Sequence, residues 1–90
     1  MFVLSAKLTF YIPHAGSLKD KRQVCRSIID NTRQKFNVSV AEVDTQDLHQ
    51  TLTIGISVVS GDIAYAQRSL DEIIRYTEDN TDEELVEVET

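Results

Sequence analysis

Residues 2–12, FVLSAKLTFYI, alternate between larger apolar side chains and mostly small or polar ones. The apolar side carries Phe2, Leu4, Ala6, Leu8, Phe10 and Ile12. A repeat of two residues is that of a β-strand with one buried face. Pro13 ends this strand because proline has no N–H to give to a sheet. The stretch therefore predicts a strand that needs other elements to cover its apolar face.

Helical spacing follows the loop PHAG, residues 13–16. Ser17 is a favourable N-cap residue, and Asp20 lies three positions on, in the spacing of a capping box. Apolar residues then recur at the i, i+3, i+4, i+7 intervals of one buried helix face. They are Leu18, Cys25, Ile28, Ile29, Thr32 and Phe36, with Val24 at the margin. The pattern predicts a helix from Leu18 to Phe36.

The rest of the chain adds three strands and a second helix. Residues 37–45 and 48–60 are rich in β-branched side chains and predict an antiparallel hairpin with a short polar turn. A helix is predicted over 62–78, and the acidic stretch ELVEVE, residues 84–89, predicts a last strand. The order βαββαβ predicts one α+β domain over 1–90. It is the ferredoxin-like arrangement, a four-stranded antiparallel sheet with two helices on one face.

Composition excludes several classes of protein. Ninety residues suffice for one modest core. The apolar runs fall short of the roughly 20 residues that a membrane helix needs. The N-terminus lacks the early positive charge of a secretory signal, and a lone Cys25 cannot form an intrachain disulfide. We therefore expect a cytoplasmic protein with no membrane partner.

Charge is unevenly distributed along the chain, whose net charge is −6. Residues 1–37 hold seven lysines and arginines against two aspartates, a net charge of +5. Residues 38–90 hold two arginines against thirteen carboxylates, a net charge of −11. Such a protein is not a general binder of nucleic acid, but a local basic surface can still meet an anionic partner.

Much of the positive charge falls on one flank of the predicted first helix. At about 100° per residue, four cations share that flank over roughly 21 Å. They are Lys19, Arg22, Arg26 and Arg33, called here the basic stripe, while Lys21 and Lys35 fall on the other flank. Cations in a first helical turn are disfavoured by the helix dipole, by about 0.3–1 kcal/mol each. Together with helix N-terminal amides they suit phosphate, so we predict phosphate contacts from the stripe, assisted by Lys21.

Two other interpretations of the basic stripe stay open. The cations can simply solvate the helix, with Asp30 pairing Arg26 one turn away. Alternatively, the partner is a protein with an acidic surface. A weaker candidate contact for a partner lies at the hairpin turn, in the side chains of Gln46, His49 and Gln50.

The residues capable of catalysis or metal binding form no motif. They are His14, Cys25, Asp44, Asp47 and His49. Cys25 lies on the predicted buried face, which favours a core thiol over an activated one. The histidines lack ligand spacing, and aspartate is common beside a turn. With no P-loop or dinucleotide motif either, we predict no enzyme activity, no cofactor and no metal.

The sheet face away from the helices is predicted to be small and polar. It would carry Val3, Ser5, Lys7, Thr9, Tyr11, Thr51, Thr53, Gly55 and Ser57. One tyrosine at a strand end is not the aromatic platform on which RNA-recognition motifs stack bases. Our alternative is therefore an oligomeric or regulatory module, such as a homodimer, that uses this open face.

Three ordered motifs resemble one known family. They are AGSLKDKR at 15–22, FNVSVAEV at 36–43 and QDLHQ at 46–50. Over essentially its whole length the chain is similar to the YlxP-like family of small bacterial proteins, formerly a domain of unknown function. The residues that carry over are Ser17, Leu18, Lys19, Lys21 and Arg22, with Asp20 where members often have Glu. The resemblance implies a ferredoxin-like fold and no known catalytic residue.

The family's genes commonly lie between those for translation initiation factor 2 and ribosome-binding factor A. The resemblance therefore implies a role in ribosome maturation or translation. Combined with the basic stripe, it leads us to expect a non-enzymatic module that docks on ribosomal RNA or a ribosome precursor. The contacts are expected from Lys19, Lys21, Arg22, Arg26 and Arg33.

Overall fold

The computed structural model describes residues 1–90 and has the predicted order of elements. These are β1 Phe2–Tyr11, α1 Leu18–Lys35, β2 Ser39–Glu42, β3 Thr51–Ser60, α2 Ile63–Asp79 and β4 Glu84–Glu89. The predicted α+β, ferredoxin-like class is confirmed. Both helices begin and end within one residue of the prediction, whereas β2 is only four residues long.

The strands form one antiparallel sheet in the order β2-β3-β1-β4. β1 and β3 are central and pair along their full lengths, from Phe2 opposite Ser60 to Tyr11 opposite Thr51. β4 pairs with the second half of β1, with an irregularity after Thr9. β2 and β4 are therefore the edge strands, and each leaves one side of its backbone unpaired within the sheet.

One face of the sheet packs against both helices and holds the core. The alternation in β1 is confirmed, since Ala6, Leu8, Phe10 and Ile12 are buried. Phe2 at the strand end is the exception and is 41% exposed. Fifteen buried apolar residues form a single cluster. Burying each of the larger side chains contributes about 1.5–3 kcal/mol, which is what holds the two layers together.

α1 begins at the predicted cap. Ser17 Oγ accepts a hydrogen bond from the Asp20 amide at 3.2 Å, while the Asp20 carboxylate accepts one from the Gly16 amide at 3.0 Å. Neither α1 nor α2 is long and apolar enough to cross a membrane. The buried positions of α1 are Lys21, Cys25, Ile28 and Thr32. Lys21 is the unexpected member of that set.

Lys21 is only 1% exposed, and oxygen atoms enclose its ammonium group. Lys21 Nζ donates to the carbonyls of Thr45, Gln46 and Thr51 at 2.7, 3.3 and 3.3 Å. It also lies 2.8 Å from Glu42 Oε2, an ion contact that lacks hydrogen-bond geometry. The prediction that Lys21 assists phosphate binding is therefore wrong. A buried ammonium needs such oxygens around it, and they leave no room for an outside anion.

These contacts hold the β2–β3 loop, residues 43–50, against α1. Thr45 Oγ1 of the loop accepts a hydrogen bond from the amide of Thr53 in β3 at 3.0 Å. Asp44 has a positive φ of 62°, a conformation that aspartate tolerates better than most residues. The loop is thus anchored at one end by the hairpin and at its centre by Lys21.

We predict that Lys21→Met lowers the free energy of unfolding by about 3 kcal/mol, measured by urea titration. The substitution fills similar volume but leaves the Glu42 carboxylate without its cation and three carbonyls without a donor. The double variant Lys21→Met/Glu42→Gln should recover part of the loss, since it removes the stranded charge.

The matched control is Lys19→Met, two residues earlier on the exposed side of α1. It should change the free energy of unfolding by less than about 0.5 kcal/mol. Equal losses for the two variants would mean that the Lys21 contacts contribute nothing specific.

Candidate nucleic-acid interface

α1 lies over edge strand β2 on one side and beside α2 on the other. The Arg33 guanidinium donates to the Val40 carbonyl of β2 at 3.0 Å. On the opposite flank, Lys35 Nζ lies 6.0 Å from the centre of the Tyr76 ring of α2. The basic stripe therefore faces away from α2, along the outer side of the molecule where the sheet ends.

The burial of Lys21 also rotates the helix relative to the predicted orientation. Its buried face is centred about 40° further from the basic stripe than the apolar residues alone indicated. All four residues of the stripe, Lys19, Arg22, Arg26 and Arg33, are exposed. The stripe is consequently a solvent-facing surface and not the margin of the core.

Carboxylates do not neutralise the stripe. No acidic oxygen lies within 4.0 Å of a stripe nitrogen, and the pair between Arg26 and Asp30 that belonged to the solvation alternative is not formed. By contrast, Lys7 lies 2.9 Å from Asp44, and Lys21 lies 2.8 Å from Glu42. Arg68 and Arg75 on α2 are also without an ion pair, but they do not form a row with other cations. On α1, by contrast, four cations follow one flank without a direct ion pair.

A shallow groove of about 370 Å³ runs along the stripe. It is lined by Arg22, Cys25, Arg26, Ile29, Asp30 and Arg33. None of these side chains is aromatic, so the groove offers charge and hydrogen bonds but no surface on which an unpaired base could stack.

The N-terminus of α1 is less open to an anion than the sequence indicated. The Asp20 amide donates to the Ser17 hydroxyl, and the Gly16 amide donates to the Asp20 carboxylate. That carboxylate also brings a negative charge to this end of the helix. An anion would meet that carboxylate near the cap. The side chains of the stripe therefore have to supply most of any attraction for phosphate.

Cys25 lies at the floor of this groove and is 7% exposed. Burial raises the pKa of its thiol, the negative charge of Glu42 raises it further, and Lys21 lowers it. The thiol is therefore protonated at neutral pH, and the prediction of a buried core cysteine is confirmed.

The weaker candidates, Gln46, His49 and Gln50, are exposed on the β2–β3 loop. Gln50 Nε2 donates to the Pro13 carbonyl at 3.1 Å, which ties this loop to the segment before α1. The side chains of Gln46 and His49 make no hydrogen bond within the chain.

Near the same end, His14 Nε2 lies 2.9 Å from a carboxylate oxygen of Glu83. No three histidine, cysteine or acidic side chains come together in a set that could hold a metal ion.

The open sheet face forms a second concave surface. A depression of about 470 Å³ has a floor of small residues: Ser5, Ser39, Ala41, Gly55 and Ser57. Lys7 lies at its side, and the hydrogen bond and charge of Asp44 raise the pKa of Lys7. Beyond the depression, Val3 and Val59 pair across the strands and are 54% and 65% exposed.

Sequence reasoning missed the anchoring roles of Lys21 and Arg33. A signal for Lys21 was present, because Lys21, Cys25 and Ile28 follow the i, i+4, i+7 spacing of a buried face. The positive charge of Lys21 favoured an exposed position. Its acidic partner Glu42 lies on β2, so spacing along the helix did not indicate it. No local pattern indicates that Arg33 reaches the Val40 carbonyl.

Comparison with known proteins agrees with the three sequence motifs. Residues 3–90 match a family model described as a protein of unknown function, DUF503. The uncharacterised protein YlxP of Bacillus subtilis (strain 168) is 37% identical over 62 residues. That alignment covers 69% of this chain and 67% of the Bacillus protein. The chain therefore belongs to the YlxP-like DUF503 family.

Proposed function

We propose that this protein is a non-enzymatic, cytoplasmic RNA-binding module that contacts phosphates through the basic stripe. Its partner is ribosomal RNA or a ribosome precursor. The observation that carries the proposal is the row of exposed cations without acidic partners, in a chain whose net charge is −6. Lys21 is not part of this surface, because its ammonium is buried.

The energetics favour an anionic partner over simple solvation. Lys19 and Arg22 lie in the first turns of α1, where the helix dipole opposes positive charge. Fifteen acidic residues are available in the chain, yet none pairs with the stripe. Phosphates would neutralise this charge and release condensed counterions, which is the main source of affinity in sequence-independent nucleic-acid binding.

Arg33 is the best-positioned member of the stripe. One of its five N–H groups is committed to the Val40 carbonyl, which restrains the side chain while the other donors stay free. A restrained guanidinium loses less conformational entropy when it binds phosphate than a fully mobile one does. Arg33 thus combines a structural contact with a binding role.

The ribosomal setting of the proposal has a different basis from the phosphate contacts. It rests on the gene neighbourhood of the family, beside translation initiation factor 2 and ribosome-binding factor A. An RNA-rich particle in the cytoplasm is a partner of the right charge for the stripe.

Charge reversal tests the stripe directly. We predict that Arg22→Glu/Arg26→Glu abolishes co-sedimentation with ribosomal subunits, while the thermal midpoint stays nearly unchanged because both side chains are exposed. Binding of the unmodified protein should weaken steeply as salt rises, with a slope of log K against log salt of about −3 for four phosphate contacts.

The matched control is Arg68→Glu/Arg75→Glu, which makes the same change in net charge on exposed arginines of α2. It should retain most of the binding. If the α1 variant still co-sediments at the same salt concentration, the stripe is not the binding surface.

A second variant separates the two roles of Arg33. Arg33→Gln should make the salt slope shallower by about one, because one phosphate contact is lost. It should also lower the free energy of unfolding by about 1 kcal/mol, because the Val40 carbonyl loses a charged donor. Filter binding across a salt series and urea titration measure the two effects. An unchanged slope would remove Arg33 from the site.

The alternative function is a homodimer formed through the open sheet face. The observation in its favour is the exposed Val3 and Val59 pair beside a floor of small residues. Sedimentation equilibrium distinguishes it from the RNA-binding proposal. A tight dimer that is insensitive to salt and is disrupted by Val59→Asp supports the alternative, and a monomer argues against it.

A further inference from the structure

The strongest unexplained feature of the proposed interface is a carboxylate within the basic stripe. Asp30 is exposed and lines the same groove as Arg22, Arg26 and Arg33. It accepts no hydrogen bond within the chain and has no cation within 4.0 Å, although Arg26 and Arg33 flank it. Its acceptor oxygens are therefore free.

Asp30 divides the stripe into two groups of cations. Along the axis of α1 it lies about 6 Å beyond Arg26 and about 4.5 Å before Arg33, so the two arginines are about 10 Å apart. A single strand that followed the stripe would place phosphates in this gap, because successive nucleotides are spaced more closely than that. A phosphate and a carboxylate repel each other, so a continuous phosphate row does not fit.

A carboxylate needs donors, and phosphates supply none. The minor groove of an RNA duplex supplies them between two rows of phosphates. It is wide and shallow, and it presents ribose 2′-hydroxyls, which are hydrogen-bond donors as well as acceptors. The absence of aromatic side chains in the groove along α1 also fits a partner whose bases are paired and stacked.

Building on the proposed function, we infer that α1 binds across the minor groove of double-stranded RNA, with Asp30 accepting a hydrogen bond from a 2′-hydroxyl. Lys19, Arg22 and Arg26 contact the phosphates of one strand, and Arg33 contacts those of the other. Asp30 is then the residue that distinguishes RNA from DNA, because a deoxyribose has no 2′-hydroxyl to offer.

Fluorescence anisotropy with three labelled probes of equal length tests this inference. The probes are an RNA duplex, the DNA duplex of the same sequence, and unstructured polyuridine. We expect the unmodified protein to prefer the RNA duplex over the DNA duplex by about tenfold, the contribution of one hydrogen bond to a charged group. It should bind polyuridine more weakly than the RNA duplex.

Two substitutions separate the hydrogen bond from the charge. Asp30→Ala removes both and should bind the RNA and DNA duplexes about equally. Asp30→Asn keeps an acceptor oxygen while removing the repulsion, so it should tighten DNA binding yet keep part of the preference for RNA. Glu72→Ala, which removes an exposed carboxylate from α2, is the matched control and should leave the preference unchanged.

The outcomes distinguish this inference from the proposal on which it rests. If Asp30→Ala tightens binding to all three probes by the same factor, or if polyuridine is preferred, Asp30 only repels phosphate and the inference is wrong. The stripe would still bind RNA in that case, and Arg22→Glu/Arg26→Glu would still abolish binding. If the unmodified protein binds none of the probes, the proposed function itself fails.

Discussion

The buried ammonium of Lys21 determines how α1 sits on the sheet. Three carbonyls and the Glu42 carboxylate draw this side chain inward, next to Cys25 and Ile28. The same contacts hold the β2–β3 loop against the helix. Because α1 cannot turn without breaking them, they also set the direction of every other cation on it. Together with the burial of Cys25, Ile28 and Thr32, this interaction turns the basic stripe toward solvent.

Positive and negative charges are separated in the folded molecule as well as along the chain. Lys7 and Lys21 form ion pairs with acidic side chains, whereas the cations on the outer flank of α1 form none. The most acidic element, β4, forms the far edge of the sheet from β2, beside which the stripe lies. The glutamates of β4 therefore lie far from the basic stripe, and the surface can attract an anion despite the unfavourable net charge.

Much of the fold could be predicted because its signals are local. The alternation in β1 and the helical spacing after Ser17 each indicate the face that the element buries. The error falls where a long polar side chain crosses between elements. Lys21 was assigned to a surface flank of α1, but its ammonium reaches oxygens of the β2–β3 loop and of β3. Spacing along the helix could not test this assignment, because the partners of Lys21 lie on other elements.

The sequence by itself determined the order of elements, the N-cap of α1 and the alignment of the stripe along one helix. These depend on residues within a few positions of one another. Only the tertiary structure decided that Lys21 is buried, that Arg33 is held by β2 and that Asp30 stays unpaired. A flexible charged side chain is stable inside or outside according to the oxygens within its reach. Residues 24 to 30 positions further along the chain supply the hydrogen-bond acceptors of Lys21.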